Sequence, residues 1–268
     1  MGLKERLSDF YYLCRLKPNL KLNNMDREKL FDAFIADCKK EKQICGSGNP
    51  NAYILLVGQE HYSKEKISDD KEWEKYLNDN YKYCKEATSW NNNNRSNTWR
   101  YYQKLVDLAL PHRKKPTHKG ERNFEEDAFT TELNNEAKPS SKIVGKEEKT
   151  ELKKRISQRL LLLKKSAFIQ KFPVVVLACG GYIVNREEKG ILQINDTFGV
   201  RYDNELNESG MPKGWHKSEK GRMWFTTHHS DDGRKLVIHT WQLSRADNRL
   251  LEEMAKIINE HLNNLGLI

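Results

Sequence analysis

No stretch of this chain approaches the roughly 20 consecutive apolar residues that a membrane-spanning helix requires, so no membrane segment is expected. The opening residues, Met1-Gly2-Leu3-Lys4-Glu5, carry an acid and no apolar signal core. Cysteine is scarce: Cys14, Cys38, Cys45, Cys84 and Cys179 form an odd set of five with no CxxC spacing. That pattern excludes a disulfide or zinc framework and leaves free thiols in a reducing, cytoplasmic setting. Internal repeats are absent. Apolar residues supply only 37% of the chain against 32% charged, yet they fall in clear runs, so a core can form. A length of 268 residues suits one large domain, or one domain with an extension.

What is present in excess is positive charge. Lys and Arg number 47 against 38 Asp and Glu, a net charge of +9. Such an excess favours a polyanionic partner, and nucleic acid is the commonest. An evenly spread solubility charge is the alternative. Arg113-Lys114-Lys115, Lys153-Lys154-Arg155 and Lys164-Lys165 are local basic groups. A monomer is the expected state.

Residues 1–45 read as a helical extension, with Leu30, Phe31, Phe34, Ile35 and Cys38 at helical spacing. Gly46-Ser47-Gly48-Asn49-Pro50 breaks the chain, and residues 50–268 read as an α/β domain. Four apolar runs there have the character of buried strands: Tyr53–Val57, Ala128–Thr131, Val174–Cys179 and Leu236–His239. Residues 97–110 and 150–169 between them are helical in pattern. Alternating strands and helices imply a parallel, helix-covered sheet. Gly190–Asn195 and Arg222–His228 look like an inserted hairpin, Pro111–Glu126 like an exposed mobile loop, and Asn91–Asn94 like a short loop. A last helix is expected after an S-x-x-D start at Ser244 and Asp247. Its buried face is Leu250, Met254, Ile257, Ile258, His261 and Leu262, and Gly266 is its stop.

The four strand ends carry the chemistry: Gln59-Glu60, Glu132, Cys179-Gly180-Gly181 and His239. In a parallel sheet they share one edge, where ligands of open α/β sheets bind. Glu60 and His239 can serve as an acid/base pair or as a charge pair around a cationic transition state. Alternatively, Glu60 is an acid at a helix N-terminus and His239 a core histidine satisfied by the backbone. Glu132 is either functional or a loop carboxylate paired with Lys138 or an arginine. Cys179 reads as packing. Gly180-Gly181 either admits a ligand close to the backbone or makes a tight exit from the strand. His228-His229 with Asp231 and Asp232 does not form a metal site if in a strand, because adjacent histidines point to opposite faces.

Gly58-Gln59-Glu60-His61-Tyr62 resembles the Gly-Gln-Asp-Pro-Tyr motif of uracil-DNA glycosylases, and His239-Thr240-Trp241-Gln242-Leu243-Ser244 resembles their His-Pro-Ser-Pro-Leu-Ser motif. Phe129–Asn134 and Val174–Gly180 stand where that family has an apolar strand ending in asparagine and a strand ending in glycine. The matching islands keep the family's order within about residues 50–265. The resemblance implies a three-layer α/β/α fold around a four-stranded parallel sheet. It implies hydrolysis of the bond between a flipped base and deoxyribose in DNA, without metal or cofactor, as in DNA repair. Under it Glu60 stabilises an oxocarbenium-like transition state and orients water, and His239 meets charge on the departing base. Tyr62 walls the pocket, Leu243 wedges into the vacated stack, and Gly58, Gln59, Trp241 and Ser244 complete the substrate contacts.

The departures from the family are chemical. Glu60 replaces aspartate and sets its carboxylate about one methylene further out, a displacement that can cost about 10²-fold in rate. His61 replaces proline. Thr240, Trp241 and Gln242 replace Pro-Ser-Pro; the bulk of Trp241 disfavours the family's phosphate contact, although its ring can stack on a base. Glu132 replaces the base-reading asparagine, and an ionised carboxylate only accepts hydrogen bonds, so it opposes O4 of uracil. Guanine, cytosine or adenine donors suit it better. An inefficient uracil enzyme acting on another base is therefore expected. The alternatives are a silent nucleic-acid-binding module on the same fold and an enzyme of small nucleosides or nucleotides.

Overall fold

The computed structural model describes residues 24–62, 69–86, 97–118, 121–138, 146–186, 189–208, 210–218 and 223–268. Glu60, His61 and Tyr62 are described in backbone only. The Asn91–Asn94 tract and Cys14 lie outside the described residues. The first elements are α1 (Asn24–Lys40), β1 (Ser47–Gly48), β2 (Ile54–Tyr62), α2 (Asp70–Glu86), α3 (Asn97–Ala109) and β3 (Ala128–Lys138). Then come α4 (Lys146–Lys165), α5 (Ala167–Gln170), β4 (Val174–Ala178), β5 (Asn185–Arg186), β6 (Ile191–Leu192) and α6 (Gln193–Phe198). The chain closes with β7 (Arg201–Tyr202), β8 (Trp215–Lys217), β9 (Trp224–His229), β10 (Leu236–Thr240) and α7 (Asn248–Asn264).

The protein is mixed α/β with a largely parallel central sheet. Strand order is β1-β3-β2-β4-β10-β9-β7, with β8 also paired to β9. All four apolar runs became the contiguous parallel strands β3, β2, β4 and β10. Their near-continuous apolar sequence fits strands covered on both faces. Odd positions Leu55, Val57, Val175, Leu177 and Val237 join one cluster, with Phe31, Phe34 and Ile35 of α1, Leu77 of α2 and Ile156 and Leu163 of α4. Even positions Ile54, Leu56, Val174, Val176, Leu236 and Ile238 join the other, with Tyr102, Leu105 and Val106 of α3 and Leu250, Met254 and Ile258 of α7. The period-2 alternation of a strand divides the two cores.

Antiparallel additions enlarge the sheet beyond its parallel centre. β1 pairs with β3 at one edge, and β9, with β7 and β8, extends the other. This corrects the inserted hairpin. β6 pairs instead with β5, while β9 lies antiparallel beside β10. The described part of the N-terminal extension, α1, supplies core side chains, and Arg27 donates to the Asn51 carbonyl at 2.6 Å. The four described cysteines are free and buried. Among the described residues no helix is long and apolar enough to cross a membrane.

The last helix keeps its expected face, with Leu250, Met254, Ile258, His261 and Leu262 buried, but not its expected cap. Asp247 is the N-cap and accepts from Leu250 N at 2.8 Å, whereas Ser244 sits in a separate short turn. Helix α2 was not anticipated from the sequence. Its apolar positions, Leu77, Tyr81 and Cys84, are diluted among charged and amide residues.

The segment expected to be an exposed mobile loop is anchored by an arginine. Arg113 has only 2% of its side chain exposed, and it donates to Asp107 and Asp127 at 2.6 Å each. It also donates to the Asn123 side-chain oxygen at 2.9 Å and the Asn123 carbonyl at 2.6 Å. Asp107 and Asp127 keep 23% and 33% of their side chains exposed, so removing the arginine falls short of the ~3–5 kcal/mol of a fully buried ion pair and costs about 2–3 kcal/mol. Arg113→Ala is expected to lower stability by that order. A urea midpoint equal to wild type would show that the network is dispensable.

Candidate functional site

The C-terminal edge of the parallel strands gathers the expected residues unequally. In register, Val57, Leu177 and His239 lie side by side. Strands stand about 4.8 Å apart, so two spacings separate the backbones of β2 and β10 by about 10 Å. Glu60 lies three residues beyond Val57, opposite Asn134, and therefore about 10 Å further along the strand. The resulting backbone separation of about 14 Å exceeds the combined reach of a glutamate and a histidine. Glu60 and His239 are thus not a directly bonded pair.

Gln59 ties the edge together. Its Nε2 donates to the Cys179 carbonyl at 3.2 Å, and its Oε1 accepts from Gln242 Nε2. One amide therefore joins the strand β2, the exit of β4 and the loop after β10. Burial pushes the Cys179 thiol up, with Glu132 adding to the shift, so Cys179 is inert packing.

His239 is 6% exposed, and its Nε2–H donates to the Gly180 carbonyl at 2.8 Å. Burial pushes its pKa down to about 4, with the Gly180 bond opposing only in part. The ring is thus neutral near pH 7 and protonated on Nε2. This is the backbone-satisfied histidine that the sequence also allowed. The edge of Trp224 meets it at 5.1 Å between centroids.

Gly180 carries two constraints. Its φ is +53°, and an added Cβ would stand 2.5 Å from Cε3 of Trp241. Trp241 therefore rests one part of its ring on the glycine while 40% of the residue is exposed. Gly181 has no such neighbour within 4 Å.

Glu132 packs against Gly58, where an added Cβ would lie 2.1 Å from its Oε2. That oxygen is shielded from solvent. Glu132 helps keep the hydroxyls of Tyr76 and Tyr102 protonated, after the larger effect of burial. Arg159 donates to the Glu132 carbonyl at 3.0 Å. The side chain of Lys138 lies outside the described residues. Glu132 is thus half-buried at the base of the edge, beside the strand that carries Glu60.

Leu243 does not project as a wedge. It is fully buried in the core beneath α3 and α7, which corrects that expectation. Ser244 is half-buried beside it. Tyr62 pairs through its backbone with Lys138; its side chain is not described. His228 and His229 separate as expected: His228 is buried near Thr226, and His229 bonds Asp203 at 2.9 Å. No group of three or more metal-ligating side chains occurs among the described residues.

Sequence reasoning overlooked Arg159 and Asn134. Arg159 is fully buried and donates to Thr131 Oγ1 at 2.6 Å and to Gln43 Oε1 at 3.2 Å. It is one cation among many in a lysine-rich helix, so no local signal marks it. Asn134 is fully buried, its Oδ1 accepts from Arg155 at 3.2 Å, and its Nδ2 lacks a partner among the described residues. Its place opposite Glu60 became visible only with the strand register.

Fold and site define a mixed α/β protein with a polar edge built where its parallel strands end. No family model matches the chain, and no curated protein is significantly similar to it.

Proposed function

We propose that this chain is a divergent relative of the uracil-DNA glycosylases that hydrolyses the N-glycosidic bond of a base in DNA or a related nucleic acid. Uracil is not its preferred base. The observation that carries the reading is the meeting of the two motif segments. Gln59 and Gln242 are 183 positions apart in sequence, and their side chains share a hydrogen bond at the strand edge. Helices on both faces of four parallel strands also agree with the family's layered arrangement. The net charge of +9 suits a polyanionic substrate.

In this reading the Glu60 carboxylate stabilises positive charge on the sugar and orients the attacking water. Tyr62 borders the base. Glu132, an acceptor near the two protonated phenols, selects bases that present donors. His239 donates to a departing base when the base's acceptor takes the place of the Gly180 carbonyl. Excision of a damaged base would make the protein a repair enzyme.

The second reading, a binding module without chemistry, is favoured by one observation: the His239 donor is already engaged by Gly180. An abasic-site assay separates the two. Oligonucleotides carrying uracil, deaminated purines or normal bases are incubated with protein and then treated with alkali. Strand breaks at a non-uracil base are expected. Salt-sensitive binding with no break on any base would establish the second reading. Efficient uracil excision that Glu132→Ala leaves unchanged would refute the argument from Glu132.

A further inference from the structure

Two cysteine thiols lie against each other beside β3. Cys45 stands in the turn between α1 and β1, and Cys84 near the end of α2. The Cys84 thiol donates to the Cys45 sulfur. Asn80, one helical turn before Cys84, holds Cys45 twice: its Oδ1 accepts from the Cys45 N–H at 3.0 Å and from the Cys45 thiol at 3.3 Å. The Cys45 sulfur also lies 3.8 Å from the Asn80 carbonyl. Within an α-helix that carbonyl faces the N–H of residue 84, so Cys45 is pressed against the turn that carries its neighbour. Tyr81 fixes the same turn, its hydroxyl lying 2.8 Å from the Gln43 carbonyl and 3.1 Å from the Cys38 carbonyl.

The contact gives the two sulfurs different roles. As a thiolate, Cys45 would accept from the Cys84 S–H, so Cys45 is the attacking sulfur. Burial and the bond to Cys45 push the Cys84 thiol up, so Cys84 keeps its proton until a second step. Cys45 is 0% and Cys84 2% exposed, so reaction proceeds from a state in which α2 has opened locally. Exchange is therefore slow, and a bond once made is shielded from reductant. Cys45 is also one hydrogen bond from the strand edge. Its carbonyl accepts from Thr131 Oγ1 at 3.0 Å, and Arg159 donates to that hydroxyl at 2.6 Å and to the Glu132 carbonyl at 3.0 Å. Fixing Cys45 thus fixes the turn on which the Glu132 segment of β3 rests.

We propose that Cys45 and Cys84 are a redox pair that closes to a reversible disulfide by exchange with a low-molecular-weight disulfide. Cys45 attacks one sulfur of that molecule, forming a mixed disulfide and expelling one thiolate. The Cys84 sulfur then attacks Cys45, forms the internal bond and expels the second thiolate. The two protons of the cysteines pass to the two expelled sulfurs, and two electrons pass from the protein to the disulfide. The new bond closes a loop of about 40 residues and ties α2 to the turn before β1. One reversible pair of this kind is not a framework on which folding depends; it responds to the redox state of its surroundings. It does so whether or not the chain acts on nucleic acid.

The test incubates the full chain in mixtures of reduced and oxidised glutathione, then quenches with acid, alkylates the free thiols and maps the peptides. A linked Cys45–Cys84 peptide is expected, with those two thiols lost together while Cys38 and Cys179 stay open to alkylation after denaturation. Cys45→Ser and Cys84→Ser should each abolish the link. The linked wild type should melt about 5–10 °C above the reduced form, and dithiothreitol should restore the lower value. Hydrogen exchange of the α2 amides should slow on linking. A chain that gives no Cys45–Cys84 peptide even in oxidised glutathione alone, or that links Cys38 as readily as Cys84, would overturn the proposal. So would a linked form that melts no higher than the reduced one and exchanges its α2 amides as fast. The peptide map of the wild type needs no variant, so it decides the matter even where a serine substitution unfolds the chain.

Discussion

Glu60→Gln is expected to reduce base release by about 10²–10³-fold or more while leaving nucleic-acid affinity nearly unchanged. The substitution keeps the shape of the side chain and removes its charge. A preorganised charge facing a developing oxocarbenium ion acts mainly in the transition state, so its loss appears in kcat. The amide is also a poorer base for the attacking water. Under the proposed function, affinity for nucleic acid would come mainly from phosphate contacts elsewhere and should survive. Single-turnover release of the base, measured beside binding of the same oligonucleotide, checks both halves. A variant that turns over at the wild-type rate would remove Glu60 from the mechanism. Because the backbones of Glu60 and His239 stand about 14 Å apart, His239→Asn should not reproduce the effect by breaking a shared bond.

Acid should destabilise the protein through His239. Its pKa falls from 6.5 free to about 4 folded, so the unfolded chain binds the proton more tightly. Stability from this group is fully present above about pH 6.5 and is lost as the pH falls towards 4. At 1.36 kcal/mol per unit, the window corresponds to about 3 kcal/mol, a large share of the 5–15 kcal/mol typical of a fold. His228, pushed down to about 3 by burial and by the neighbouring His239, acts in the same direction. Glu125 opposes them. Burial, only partly offset by Ser47, pushes its pKa up to about 7, so its contribution is present below 4.5 and lost as the pH rises through 7. The sum over all groups is therefore less informative than a difference between variants. In urea unfolding between pH 7 and pH 4, wild type should lose about 3 kcal/mol relative to His239→Asn. A constant gap would mean that His239 is not buried as a neutral ring.

The elements that local pattern defines were legible. Four apolar runs produced four parallel strands, because a strand covered on both faces must be apolar throughout. The face of the last helix followed from its 3.6-residue period, and Gly266, with φ of +66°, stands just past its end as expected. Capping was less legible. Ser244 and Asp247 both have capping side chains, and the turn at Leu243–Arg245 decided between them. The site was legible as a set of strand ends, since parallel strands place their C-terminal residues on one edge.

The contacts of those residues were not legible. Leu243 looks like an exposed wedge in its motif and is a core residue in the fold. Arg113 looks like part of a solvated basic cluster and is the buried hub of a folded loop. His239 finds its acceptor at Gly180, 59 residues away, and Gln59 its partner 183 residues away. Sequence by itself determined which segments are strands, which faces are apolar and which strand ends carry polar groups. These depend on residues a few positions apart. Tertiary structure alone decided which donor meets which acceptor and which charges lose their water. Those outcomes depend on strand order and register, which bring distant positions within bonding distance.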